Sequence, residues 1–341
     1  MDYRPLGRTG IKVSPICLGA MMFGPWGGTE LDESAAMIGR ALDAGVNFVD
    51  TADVYSWGGS EEIVGQVLEK TGARDKVVLA SKFHNPMGED PNQRGNSRRW
   101  IMTAVENSLR RLRTDWIDVY QVHRPDLDTD IEETLGAMSD LVRSGKVRQI
   151  GTSTFPASML VEAQWAAERR GYERFTTEQP PYSILARGIE AEVLPVAQRY
   201  GLGVLTWSPL AGGWLSGRYR IGDVPESRRT VMLPDRYDLA VEGNQRKLAA
   251  ADALAKLAEE SGLTLIELSL GFVLAHPAVT SVIIGPRTME HLDSQLPGAD
   301  VRLPADVLDR IDEIVPPGVT LNAADDGWSH PALSDPAHRR R

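Results

Sequence analysis

Eight short apolar runs recur along the chain, each followed by a segment of helical period, and few folds accommodate that alternation. The runs are Ile16–Ala20, Asn47–Thr51, Val77–Lys82, Trp116–His123, Val147–Ser153, Phe175–Gln179, Gly203–Ser208 and Thr280–Gly285. Eight is the number that closes a parallel barrel. The expected fold is therefore α/β, a (β/α)8 TIM barrel, with the 341 residues forming one domain. The barrel is expected over about residues 12–315, with a tail over 316–341. Hydrophobic residues at 42% and charged residues at 25% suit a globular protein with a large buried core.

The segments between the runs read as helices. Ile101, Val105, Leu109 and Leu112 share one face, with Ser97 as N-cap. Ile131, Leu135, Met138 and Val142 repeat the pattern, and Gly145 follows as a C′ residue. The segment from Ser60 to Lys70 opens with Ser60 as cap and two acids where the helix dipole favours them. Gly45, Gly171 and Gly201 mark further helix ends. Two stretches depart from the alternation. The opening residues 1–15 read as a hairpin turning at Gly-Arg-Thr-Gly and covering the bottom of the barrel. The stretch from Gly217 to Leu263 is too long for one crossover and calls for an extra loop and helix.

Charge and cysteine content exclude several classes. A net charge of −10 argues against a nucleic-acid partner, and any polyanionic ligand needs a local cluster of cations. Cys17, the single cysteine, rules out an internal disulfide and a cysteine-rich metal site. The histidines lack metal-ligand spacing, so no metal is expected. No apolar run reaches membrane-span length, and the amino terminus lacks an apolar targeting core. The reading is a cytoplasmic protein that avoids membranes, acts on a small molecule and is open to homo-oligomerisation.

In such a barrel, chemistry gathers where the strands end at their carboxyl side. Asp50 ends the second run, Tyr55 follows five residues later, Lys82 ends the third and His123 the fourth. Each alone has an ordinary reading: a cap, a packing ring, a surface lysine, a core histidine. Together they suit carbonyl reduction. A phenol is a stable proton store but a reluctant acid near neutrality, and an ammonium within reach stabilises its phenolate. An aspartate keeps the ammonium charged, and a histidine holds the substrate oxygen. The hydride has to come from a cofactor.

These residues resemble the aldo-keto reductase family. Val46–Leu68 (VNFVDTADVYSWGGSEEIVGQVL) is similar to its first signature, Val77–Phe83 places the family lysine at Lys82, and Gln121–Asp126 (QVHRPD) places its histidine at His123. The resemblance runs from about Arg4 to about Leu308. It implies catalytic roles for Asp50, Tyr55, Lys82 and His123, and a nicotinamide cofactor. Ser153 and Gln179 are implied to hold the nicotinamide end, with Thr154 standing where asparagine is commoner. Trp207 is implied to stack on the ring, and Ser208, Pro209, Leu210, Gly212 and Arg218 to strap the pyrophosphate. Gly285, Arg287, His291 and Gln295 fall in a segment resembling the adenosine-phosphate site. A cation there favours a 2′-phosphate, so the resemblance points to NADPH over NADH. Here His291, Ser294 and Gln295 replace more usual residues.

On the substrate side, Met22, Trp26, Trp57, Phe83 and Trp214 are expected to ring the mouth as an apolar pocket, or to pack loops. Arg124 either attracts an anionic substrate or pairs with Asp126. The implied activity is NADPH-dependent reduction of aldehydes or ketones with Tyr55 as proton donor. The alternatives are an NADP(H)-binding redox sensor or regulatory subunit on the same fold, and a barrel isomerase or lyase.

Overall fold

The computed structural model describes residues 1–225, 228–333, 335 and 337. The first strands, β1 (Arg4–Pro5) and β2 (Lys12–Val13), pair antiparallel as the expected hairpin. Eight strands then close a parallel barrel: β3 (Ile16–Gly19), β4 (Phe48–Asp50), β5 (Val78–Phe83), β6 (Ile117–Val122), β7 (Val147–Ser153), β8 (Thr177–Gln179), β9 (Gly203–Thr206) and β10 (Val279–Ile284), with β10 pairing to β3. Each falls within or beside one of the eight apolar runs.

The first six helices are α1 (Leu31–Asp43), α2 (Gly59–Thr71), α3 (Arg98–Leu112), α4 (Ile131–Arg143), α5 (Ala157–Arg170) and α6 (Val193–Tyr200). Between β9 and β10 come α7 (Arg228–Met232), α8 (Pro234–Tyr237), α9 (Glu242–Glu260) and α10 (Leu265–Ala275). This is the overlong stretch, with more helices than expected. The last two are α11 (Met289–Gln295) and α12 (Ala305–Ile314). No helix among the described residues is long and apolar enough to cross a membrane.

The pleat explains how one strand serves both core and site. Side chains alternate faces, so residues two apart share the barrel interior. Cys17, Phe48, Ala80, Val119, Leu205 and Ile283 form the apolar lower layer, and Leu6 and Val13 from the hairpin pack into it from below. Two residues further along four of those strands stand Gly19, Asp50, Lys82 and Gln121, and Trp207 follows Leu205 in the same way. Ser153 and Gln179 end β7 and β8 at matching register. The apolar floor thus turns polar at the carboxyl ends. The opposite strand faces, with Leu18, Val49, Leu79, Tyr120, Ile150, Val204 and Val282, pack against the helices in the main core.

Three expectations need correction. Ser97 does cap α3, accepting from the Trp100 amide, but α2 starts one residue earlier than Ser60, from Gly58. The Ser60 hydroxyl instead donates to the Ala20 carbonyl at 2.7 Å and meets Thr51 at 2.8 Å, tying α2 to the ends of β3 and β4. Residues 316–327, the first part of the expected tail, pack against the rest of the chain. Leu321 and Asn322 are buried, Leu321 bonds the Leu185 carbonyl, and Asp325 accepts from Arg236 at 2.6 Å and Lys247 at 2.7 Å. The terminal arginines Arg339–Arg341 lie outside the described residues. Trp214 is fully buried, its ring tilted 33° against that of Tyr219 with centroids 4.3 Å apart, and does not ring the mouth.

Candidate active site

The strand ends converge on a cleft of about 440 Å³, lined by Asp50, Tyr55 and His123 at its inner end. Lys82 lies fully buried beneath it. Its ammonium donates to Asp50 Oδ1 at 2.5 Å, to the Thr51 carbonyl at 2.8 Å and to the Tyr55 hydroxyl at 3.2 Å. Burial alone would lower the Lys82 pKa, but the Asp50 charge and hydrogen bond, helped by Tyr55, more than offset it and leave it raised. Lys82 is therefore held as a cation against the phenol.

Asp50 is shared more widely than expected. Its Oδ2 accepts from Gln179 at 2.9 Å and from Gln121 at 3.3 Å, and Gln179 also donates to Gln121 Oε1. Four inward side chains on β4, β5, β6 and β8 thus form one buried network. Gln121 escaped the reading of the residues, although the period of two in QVH puts it on the same strand face as His123.

The His123 ring stands edge-on to Tyr55 with centroids 5.7 Å apart. Burial, then repulsion from Lys82 and Arg124, pushes its pKa well below the usual imidazole value, so the ring is neutral. Asn85 Nδ2 lies 3.0 Å from Nδ1, and donation there leaves the ring proton on Nε2. Asn85 also escaped the sequence reading, since it sits in an irregular loop without period.

All twelve residues implied for cofactor contact line this cleft: Ser153, Gln179, Trp207, Ser208, Pro209, Leu210, Gly212, Arg218, Gly285, Arg287, His291 and Gln295. The residues present fit a dinucleotide. Trp207 offers a flat ring to the cleft, and Gly285 leaves open space where a Cβ would stand. At the far end, His291 has its pKa lowered by burial and by repulsion from Arg287 and Arg218. Arg218 and Arg287 both line the cleft with His291, and such cations suit an anionic phosphate. Thr288 caps α11 through the His291 amide. Arg236 also lines the cleft and had no signal in the sequence, because α8, which carries it, is only four residues long and shows no period.

The substrate-side residues divide. Arg124 lines the cleft, as does Met22. The Trp26 ring lies 6.1 Å from Tyr55 and 6.4 Å from Trp57, which is further out and 66% exposed. Phe83 is a correction. It is fully buried and packs 5.0 Å from Tyr120, against the helices. Adjacent strand residues face opposite ways, so the pleat that turns Lys82 inward turns Phe83 outward.

The aldo/keto reductase family model matches residues 15–316. The chain belongs to that family. Over 328 residues it is 41% identical to the uncharacterized oxidoreductase YrpG of Bacillus subtilis, covering 93% of this chain and 96% of that protein. It is 37% identical to a probable voltage-gated potassium channel subunit beta of Oryza sativa subsp. japonica, covering 92% and 97%. It is 33% identical to versiconal hemiacetal acetate reductase of Aspergillus parasiticus, covering 92% and 96%. Aldo/keto reductases are oxidoreductases that generally use NAD(P)H.

Proposed function

We propose that the protein reduces aldehydes or ketones to alcohols with NADPH, and that Tyr55 is the proton donor. The observation that carries this reading is the buried relay in which Lys82 joins Asp50 to the Tyr55 hydroxyl at the inner end of the cleft. Trp207, Ser153 and Gln179 would hold the nicotinamide end of the cofactor. Arg218, Arg287 and His291 would hold its phosphates, and the paired cations favour the 2′-phosphate of NADPH. When bound, the cofactor supplies the hydride.

The protein's own part is proton delivery and charge control. A carbonyl oxygen between Tyr55 and His123 accepts a hydrogen bond from His123 Nε2 and takes its proton from the Tyr55 hydroxyl. Lys82 stabilises the phenolate left behind, and Asp50, fixed by Gln121 and Gln179, keeps the ammonium in place. Burial keeps that exchange away from bulk water, where the charges would interact far less strongly.

The test is loss of NADPH absorbance with a panel of aromatic and aliphatic aldehydes, alongside an NADPH titration by tryptophan fluorescence. Turnover with tight NADPH binding supports the proposal. Tight binding with no turnover on any carbonyl favours a cofactor sensor instead, and failure to bind a nicotinamide cofactor overturns both.

A further inference from the structure

We propose that the substrate carries a carboxylate, and that Arg124 is the residue that recognises it; this rests on the reductase reading above. Arg124 lines the cleft beside Tyr55, His123 and Trp207, with its guanidinium carbon 6.0 Å from the Trp207 ring. It is anchored through Nη1 alone, which donates to the His123 carbonyl at 2.7 Å and to Thr154 Oγ1 at 3.2 Å. The Nε–Nη2 edge, which matches a carboxylate in a fork geometry, has no partner among the described residues.

The expected internal counter-ion is engaged elsewhere. Asp126 accepts from the Asn96 and Asp128 amides and from the Thr129 hydroxyl. Glu178 is fully buried and accepts from Thr152 and the Phe155 amide. It attracts Arg124 at longer range without forming an ion pair. Burial pushes the Arg124 pKa below its ordinary value, so the fold holds a partly desolvated cation at the cleft with no carboxylate on it. Such a group costs free energy unless something completes it.

A second observation points the same way. Thr154, which anchors Nη1, sits at φ 60°, a left-handed conformation that a β-branched residue adopts only under constraint. The chosen anion is a carboxylate because a single guanidinium matches one negative charge. Lys82, the nearby second cation that a phosphate dianion would call for, is spent on Asp50.

The experiment compares 4-carboxybenzaldehyde with 4-methylbenzaldehyde in the wild type, Arg124→Gln and Arg124→Lys, each with NADPH affinity measured. It also follows benzoate binding to the NADP+-loaded protein by tryptophan fluorescence. Wild type should favour the carboxylated aldehyde in kcat/KM, mainly through KM. Arg124→Gln should reduce that preference about 10- to 100-fold, weaken benzoate binding in parallel, and be partly rescued by lysine. An unchanged preference ratio, or benzoate binding that ignores the substitution, overturns the proposal. Should neither these aldehydes nor any carbonyl of the wider panel turn over, the reductase reading fails, while the benzoate titration still decides whether Arg124 is an anion site.

Discussion

The two ends of the barrel differ in which residues they allow at positive φ. At the bottom, where helices return to strands, chain reversals needing positive φ fall on glycine, as at Gly171 (φ 66°) and Gly201 (φ 69°). At the top, the loops after the strands use glycine too, as at Gly24 (φ 88°) and Gly95 (φ 82°), but they also place Ser56, Trp57, His84, Thr154, Ser208 and Ala211 at positive φ. Among the described residues, Arg113 at the end of α3 is the one non-glycine exception on the other side. Glycine takes such angles at little cost, whereas side chains there store strain. The interior tells the same story: apolar and closed by the hairpin below, charged and open above. One end is built for stability and the other is held in place by it.

The sharpest way to break this contrast is to remove one charge from the upper layer. Lys82→Met should lower turnover by about 100- to 10,000-fold and destabilise by about 3–5 kcal/mol, because Asp50 is left buried and unpaired. Adding Asp50→Asn should recover most of the stability and none of the activity. Denaturant midpoints beside activity assays separate the two effects; parallel recovery of both would erase the distinction between the ends.

The lower layer should answer in the opposite way. Phe48→Ala, two residues below Asp50, should cost about 3–5 kcal/mol in denaturant unfolding while NADPH affinity by fluorescence stays at the wild-type value. A smaller effect is expected at Gly327, in the carboxyl-terminal segment that backs the site. A Cβ there would stand 2.9 Å from Trp207 Cζ2 and 3.0 Å from Thr154 Cγ2, at φ 80°. Gly327→Ala should therefore shift the Trp207 ring and weaken NADPH binding roughly tenfold. The mildest test exchanges the conformational habits of the ends. Thr154→Asn should stabilise the fold by about 0.5–1 kcal/mol, and Gly171→Thr should destabilise it by about 1–2 kcal/mol. Equal responses at both positions would mean that the strain at the top is not real.

What could be read from the chain divides along the same line. Most of the eight strands were legible because they are rich in apolar residues, although β8 holds none, and Asp50, Tyr55, Lys82 and His123 because they are polar groups at or just beyond the ends of those runs. Phe83 was misplaced because a strand end looks the same on both faces until the pleat phase is fixed by Lys82. Ser60 misled because a serine ahead of two acids reads as a cap, while its hydroxyl serves a distant carbonyl on Ala20. The docking of residues 316–327 left no trace in periodicity. It rests on single long-range partners such as Asp325 with Lys247, and no local pattern announces those.

The relay itself is tested most directly by single-turnover kinetics of the NADPH-loaded protein, comparing wild type with Tyr55→Phe on one reactive aldehyde. The phenylalanine variant should bind NADPH as tightly as wild type and lose the reduction step by at least about a thousandfold. A Tyr55→Phe protein that reduces the aldehyde at the wild-type rate would contradict the assignment of Tyr55 as proton donor.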